Sequence, residues 1–262
     1  RHTRYWRDWS SDVCSSDLVG CGGKMGQVIS GIVEADEDAQ IVAGVDIAKA
    51  ECGYPVYPSI AEVKEEADAI IDFSHPSLLD GILAYAVEKQ VPAVLCTTGY
   101  SNEDIEKINQ AAEKVALLRS ANMSLGINTM MKVLETVTKT LADAGFDIEI
   151  VEKHHNQKLD APSGTALALA DTINNELNQE YDYKYDRSTL REKRPKKEIG
   201  ISAVRGGTIV GEHEIIFAGT DEVIEFKHTA YSKAIFGKGA VSAAKFLKGK
   251  AAGLYNMKHV IG

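Results

Sequence analysis

Glycines at 20, 22 and 26 sit between the apolar pair Leu18-Val19 and a run carrying Met25, Val28, Ile29, Ile32 and Val33 at helical spacing. A strand that breaks into glycines and then opens a helix is the entrance of a βαβ unit. It commits this part of the chain to a parallel sheet, because parallel strands need a crossover helix. Gly20 and Gly22 allow a tight turn and close approach of backbone to a pyrophosphate, and the helix N-terminus supplies the anion site. The spacing is G-x-G-x-x-x-G, one residue longer than the common fingerprint. Gln40–Val45 reads as the next strand, and Asp46 ends it, twenty residues beyond Gly26, where an acidic side chain takes the ribose hydroxyls of a dinucleotide. Ile47 follows instead of an arginine that would welcome a 2′-phosphate. NADH is therefore favoured, while Lys24 and Lys49 leave room for NADPH.

Alternation of strand and helix continues to about residue 120. Ala69–Phe73, Pro92–Cys96 and Val115–Arg119 are short apolar runs separated by helical segments. The clearest of these helices opens at Ser101, with Asp104 placed to complete a capping box, and presents Ile105, Ile108, Ala112 and Val115 to a core. A Rossmann-like, doubly wound parallel sheet follows, with ligands expected at the carboxyl ends of the strands. Ser74-His75-Pro76, Thr97-Thr98-Gly99 and Ala121-Asn122-Met123 stand there, either as contacts or as capped turns.

Past Ser124 the pattern changes. A long helix carries Ile127, Met130, Met131, Leu134, Val137 and Leu141 and ends near Gly145; Phe146–Glu152 is a strand, and another helix runs from Thr165 to about Asn178. Ile199–Thr229 alternates like antiparallel strands broken by turns at Gly206-Gly207 and Gly219–Glu222. Lys238–Leu254 reads as a last helix that returns to the nucleotide half. The expected organisation is thus α/β: a dinucleotide-binding domain of residues 18–124 plus 234–262, and an α+β substrate domain of 125–233 with a mixed or antiparallel sheet. Residues 1–17 look foreign to the rest, an appended leader or mis-joined reading frame that leaves only Leu18 and Val19 of the first strand, which is expected to be shortened or improvised.

The densest chemistry lies in Glu152-Lys-His-His-Asn-Gln-Lys-Leu-Asp-Ala-Pro-Ser-Gly-Thr-Ala166. Crowding His154, His155 and Lys158 upstream of a helix start is unfavourable unless something anionic neutralises them. Ser163 is a good N-cap, so the N–H groups of Gly164, Thr165 and Ala166 lie at the positive end of a helix dipole. A substrate carboxylate is the natural guest. Neighbours on extended chain point to opposite sides, so one histidine is expected to do chemistry and the other to bind or support. Imidazole titrates near neutrality, and a lysine can donate a proton where its surroundings permit.

A net charge of −9 argues against a nucleic-acid partner, because phosphate binding needs clustered cations. No run of eighteen apolar residues exists to span a membrane. Cys14, Cys21, Cys52 and Cys96 form neither C-x-x-C pairs nor a disulfide framework, which suits a reducing cytoplasm. His213, His228 and His259 are too scattered to suggest a metal site.

Four segments in this order resemble one known family: the glycine loop, Thr97-Thr98-Gly99, the His154–Ala166 run, and Arg205-Gly-Gly-Thr-Ile-Val-Gly-Glu-His213. The chain is similar to the 4-hydroxy-tetrahydrodipicolinate reductases, formerly dihydrodipicolinate reductases, over essentially everything after residue 17. The resemblance implies NAD(P)H-dependent reduction of a cyclic unsaturated dicarboxylate with loss of water, in the diaminopimelate route to lysine. It implies His154 as catalytic proton donor or acceptor and Lys158 as its partner, with His155, Lys158, Gly164 and Thr165 on substrate carboxylates. It places Gly20, Cys21, Gly22, Gly23, Lys24, Met25, Asp46, Cys96, Thr97, Thr98, Ser120, Ala121, Asn122 and Met123 against the cofactor, and carries a homotetramer assembled through the substrate domain. Cys96 stands where many relatives have glycine, Met123 where many have phenylalanine, and Ile47 and His75 where some have arginine. The competing readings are another two-domain NAD(P)-dependent oxidoreductase of an amino or keto acid, or a catalytically silent dinucleotide sensor.

Overall fold

The computed structural model describes residues 13–48 and 50–262. Residues 1–12, most of the segment expected to be an appended leader, and Lys49 therefore lie outside the described residues. The chain divides into two compact units, residues 1–123 with 234–262, and residues 124–233.

The first unit opens with β1 (Cys14–Val19), α1 (Lys24–Glu34) and β2 (Ala39–Val45). A short β3 (Val56–Tyr57), β4 (Ala69–Asp72), α2 (Leu79–Lys89), β5 (Ala93–Leu95), α3 (Asn102–Ala112) and β6 (Ala116–Arg119) follow. Ser101 and Asp104 form the reciprocal capping box at the start of α3. The expectation of a shortened first strand is not met in length: β1 has six residues and pairs in parallel with β2 on one side and β4 on the other. Backbone pairing does not depend on side-chain polarity, so a strand slotted between two others recruits Ser15, Ser16 and Asp17 despite their composition. The strand is irregular in detail. The β1–β2 register shifts between Ser16 and Asp17; Ser15 is fastened by its N–H and hydroxyl to the Asp68 carboxylate (2.9 Å each); and Asp17 is wholly buried with neither carboxylate oxygen hydrogen-bonded.

The second unit begins with α4 (Leu125–Asp143), whose methionine stripe is core, Met130 and Met131 both being buried. Next come β7 (Asp147–His154), α5 (Gly164–Glu176), β8 (Asp182–Lys184), β9 (Glu198–Arg205), β10 (Gly211–Ala218) and β11 (Val223–Ala230). The sheet order is β11-β10-β7-β9-β8. It is mixed: β10 is antiparallel to β7 and β11, whereas β9 is parallel to β7 and β8. The turn at Gly206-Gly207 therefore does not close a hairpin, because β7 lies between β9 and β10. Ile148, Ile150, Ile199, Ile201, Ile215 and Phe217 turn one face of the sheet toward Leu134, Leu169 and Ile173 on the helices.

The chain then returns to the first unit as α6 (Ala234–Leu247), β12 (Gly253–Tyr255) and α7 (Met257–Ile261). A single helix to Leu254 was expected; it stops at Leu247, where Gly249 just past its end adopts φ +73°. The tail instead adds β12 beside β6, completing a parallel sheet of order β12-β6-β5-β4-β1-β2-β3. No helix among the described residues is long and apolar enough to cross a membrane.

Candidate active site

In the first unit the glycine loop leaves the carboxyl end of β1. Gly20 has φ +82°, and a Cβ there would lie 2.6 Å from the Phe73 carbonyl oxygen. A Cβ at Gly26 would lie 2.3 Å from the Gly20 carbonyl oxygen, which explains the longer spacing: the third glycine lets the first turn of α1 press against the loop. Gly23 holds the N-cap position and brings no side-chain acceptor to the first turn of α1. Asp46 reaches the loop from the end of β2, its Oδ2 accepting from the Gly22 N–H and its Oδ1 from the Ala48 N–H (2.9 Å each). A narrow, glycine-rich turn, an uncapped helix start and an adjacent carboxylate fit the pyrophosphate and ribose of a dinucleotide. Lys24 is exposed and Met25 half-buried. Cys21 is buried under the loop, and burial, then Cys52 and Asp46, push its thiol up to about 12. Any cofactor contact it makes falls to its backbone.

The expected residues after β4, β5 and β6 occupy the same carboxyl edge of the sheet. Asp72, at the end of β4 and 1% exposed, was not anticipated. It accepts from the Ser74 hydroxyl and N–H and from the Tyr100 hydroxyl (3.1 Å), while the Ser74 N–H also donates to Thr97 Oγ1 (3.0 Å). Burial raises the Asp72 carboxyl despite these donors. Thr97 is thus fixed as a loop clamp, whereas Thr98 is exposed and Cys96 half-buried. Ser120, Ala121 and Asn122 lead away from β6, and Met123 is core, with no room for a Cβ on Gly239 beside its carbonyl oxygen.

In the second unit the inward face of β7 reads Ile148, Ile150, Glu152, His154, turning from apolar to ionisable at its carboxyl end. His213 faces Glu152 from β10, and Arg205 faces His154 from β9. Glu152 is fully buried and accepts four hydrogen bonds: His154 Nδ1 at 2.6 Å, the Arg205 guanidinium at 2.8 and 2.7 Å, and the Ser163 N–H at 2.9 Å. Burial alone would raise its carboxyl; Arg205, His154 and Ser163 more than offset that and hold it below the usual range. The Ser163 hydroxyl caps α5 by accepting from the Ala166 N–H (3.1 Å) and lies 3.0 Å from His213 Nε2. His213 packs edge-on to His154 with ring centroids 5.1 Å apart. Burial first, and then the charge of His154, lower His213 to about 4, so it is neutral near pH 7.

Lys158 Nζ lies 2.8 Å from the Asp160 carboxylate, and that ammonium, with the Gly164 N–H, holds Asp160 below its usual range. His154, Lys158, Gly164 and the Ser163 cap are therefore gathered at one end of the unit. His155 turns away from His154, as neighbours on extended chain do, and lines an open cleft of about 380 Å³ with Asn156, Gln157, Thr208, Val210 and Lys233. Thr165 sits half-buried in the first turn of α5. Glu152, Arg205 and His213 had no anticipated role. The signal was a period-two strand whose inward positions become ionisable.

Residues 17–123 match the family model described as dihydrodipicolinate reductase, N-terminus, and residues 126–261 match dihydrodipicolinate reductase, C-terminus. A 4-hydroxy-tetrahydrodipicolinate reductase of Caldanaerobacter subterraneus subsp. tengcongensis is 49% identical over 244 residues, spanning 93% of this chain and 96% of the relative. One from Clostridium tetani is 49% identical over 241 residues, spanning 92% and 94%. The solved structure of a dipicolinate-bound dihydrodipicolinate reductase from Paenisporosarcina sp. TG-14 matches with a TM-score of 0.77 and 25% identity, over 95% of this chain and 100% of that one. With both of its units matched in order, the chain belongs to the dihydrodipicolinate reductase family, also called 4-hydroxy-tetrahydrodipicolinate reductase.

Proposed function

We propose that this protein reduces 4-hydroxy-tetrahydrodipicolinate to tetrahydrodipicolinate with NAD(P)H and loss of water, in diaminopimelate-derived lysine synthesis. One observation carries the reading. Glu152, His213 and Asp160 gather His154, Lys158 and the N-terminus of α5 into an anion-seeking site that also holds a titratable proton carrier. Bound NADH or NADPH supplies the hydride.

Hydride addition leaves negative charge on the conjugated imine, and a positioned donor must neutralise it as it develops. His154 carries that proton on Nε2, since Nδ1 is turned to Glu152. Lys158 is the partner donor once a substrate carboxylate replaces Asp160 beside it. His155, Gly164 and Thr165 hold the carboxylates, the two backbone N–H groups lying at the positive end of α5. The loop Gly20–Met25 and Asp46 receive the pyrophosphate and adenosine ribose; Cys96, Thr97 and Thr98, with Ser120–Met123, contact the remainder of the cofactor. The exposed Ile47 beside Asp46 offers no cation to a 2′-phosphate, which favours NADH. A homotetramer assembled through the second unit and a cytoplasmic location complete the proposal, the latter in keeping with four free thiols.

The test is oxidation of NADH and of NADPH by the purified chain, with substrate generated in place from pyruvate and aspartate semialdehyde by the preceding synthase. Oxidation that requires the synthase and is faster with NADH is expected. His154→Gln and Lys158→Ala each lower kcat by about 10²–10⁴-fold with NADH affinity retained; unchanged turnover in both would remove the mechanism. Sedimentation equilibrium tests the tetramer.

A further inference from the structure

We infer that Glu152 is a positioning residue for His154: its carboxylate fixes the imidazole as the Nδ1–H tautomer and ties it to the capped start of α5. The inference rests on the reading of His154 as the proton carrier and goes beyond it: Glu152, there only one of the groups that gather the site, here decides which imidazole nitrogen exchanges the proton. Its ground is the geometry of one side chain. A carboxylate offers about four acceptor positions, and all are used here: Oε2 takes His154 Nδ1–H and one Arg205 nitrogen, while Oε1 takes the other Arg205 nitrogen and the Ser163 N–H.

Three consequences follow from that filling. Protonating Glu152 would break one of these bonds, so the group stays an anion, and an anion can only accept from Nδ1. The nitrogen left to exchange a proton is therefore Nε2. A Cβ at Gly211 would lie 3.1 Å from Nε2, so the glycine opening β10 leaves room beside it. Second, Arg205 is both bidentate to Glu152 and a donor to the Asp160 carbonyl oxygen (2.6 Å), which fixes the carboxylate plane and the loop that carries Lys158. Third, the Ser163 N–H joins the same carboxylate to α5, so the proton carrier and the helix end that receives a substrate carboxylate share one anchor. The other ionisable groups facing His154 are His213, packed against its ring, and Lys158, whose charge also reaches His213. Neither accepts from Nδ1.

Glu152→Gln separates this role from simple support, because glutamine keeps the shape but can turn an N–H toward Nδ1. Expected are a kcat about 100-fold lower, NADH affinity unchanged, KM within a few-fold, and an alkaline limb of kcat that falls away at lower pH, since the imidazolium has lost its anion. In the unsubstituted full chain labelled with ¹⁵N-histidine, the His154 signal, assigned by its loss in His154→Gln, should be that of the Nδ1–H form with a strongly deshielded proton. This second measurement does not depend on Glu152→Gln folding. An Nε2–H tautomer with bare Nδ1 would overturn the inference. So would a Glu152→Gln enzyme with the original kcat and pH profile, or one whose kcat falls uniformly with pH together with NADH binding. His154→Gln run alongside keeps the two claims apart: if it is inactive while Glu152→Gln is normal, only the positioning role fails; if it is fully active, the reading of His154 fails first.

Discussion

Asp17 in β1 and Glu152 in β7 are both strand carboxylates with no exposed surface, yet the protein treats them in opposite ways. Glu152 accepts from a guanidinium, an imidazole and a backbone N–H, and its carboxyl lies below the usual range. Neither Asp17 oxygen has a partner, and burial, with Glu65 adding like charge, raises its carboxyl to about 7. Burial is common to both, so partners decide the sign. The difference lies in what neighbouring elements supply: β1 accommodates Asp17 through its backbone ladder, whereas Arg205 of β9 and Ser163 at the start of α5 each bring a donor to Glu152.

The largest consequence concerns Asp17. A folded-state value of about 7, against roughly 3.9 in the unfolded chain, means that the folded protein holds a proton the unfolded chain releases. The sign follows from that: relative stability is full below about pH 4, declines as the pH rises, and is lost above about pH 7, on the order of 4 kcal/mol at about 1.4 kcal/mol per pH unit. Asp17→Val should abolish this slope and raise stability at pH 8 by a comparable amount. Urea unfolding of the two chains at pH 5 and pH 8 checks it, and parallel pH profiles would show that Asp17 finds a partner in solution. Tyr85, raised first by its own burial and then by the Asp17 charge, should move part of the way back toward its ordinary range in the same variant.

Glu152→Ala is the opposite manipulation and should cost about 3 kcal/mol at pH 7, near the lower end for breaking a buried pair because Arg205 keeps some solvent contact. Here the slope runs the other way. A depressed carboxyl contributes stability that is present above its unfolded value and lost as the pH falls through its folded one. His213, lowered to about 4, adds to the loss between about pH 6.5 and pH 4, where the unfolded chain takes up a proton first. Chemical denaturation from pH 4 to 8 should therefore show the alanine variant losing most at neutral pH and least in acid. Equal losses at all pH values would mean that packing, not the charge network, dominates at this position.

Why one carboxylate was foreseeable and the other not has a physical answer. Gly20, Gly26 and Asp46 were legible because backbone conformation and close approach restrict residue type at fixed spacing, and Ser163 because an N-cap is local. Strand positions were also legible, since alternation is a one-strand property. Strand partners were not: nothing in Ile199–Thr229 says that β7 separates β9 from β10, and that separation is what carries Arg205 to one side of Glu152 and His213 to the other. The same limit hid β12, which forms by pairing with β6 once the chain has turned at Gly249. For β1 the error lay in requiring apolar side chains of a strand whose neighbours on both sides fix its backbone.

Asp160 tests the comparison at its weakest end, where a carboxylate is exposed and its partner only half-buried. Its ion pair with Lys158 is of a kind contributing about 0.2–1 kcal/mol, so Asp160→Asn should leave stability within that range. Activity should move more than stability. The Asp160 carboxylate sits against the two groups proposed to receive a substrate carboxylate, the Lys158 ammonium and the Gly164 N–H, and so stands in for that substrate until it is displaced. Asparagine keeps the size and a polar acceptor but removes the competing charge. KM for the dicarboxylate should fall a few-fold with kcat nearly unchanged, and the benefit should shrink in high salt as screening weakens the original pair. A higher KM would instead make Asp160 an organiser of the loop, holding Lys158 in place for its guest; steady-state kinetics at low and high ionic strength distinguishes a competitor from an organiser.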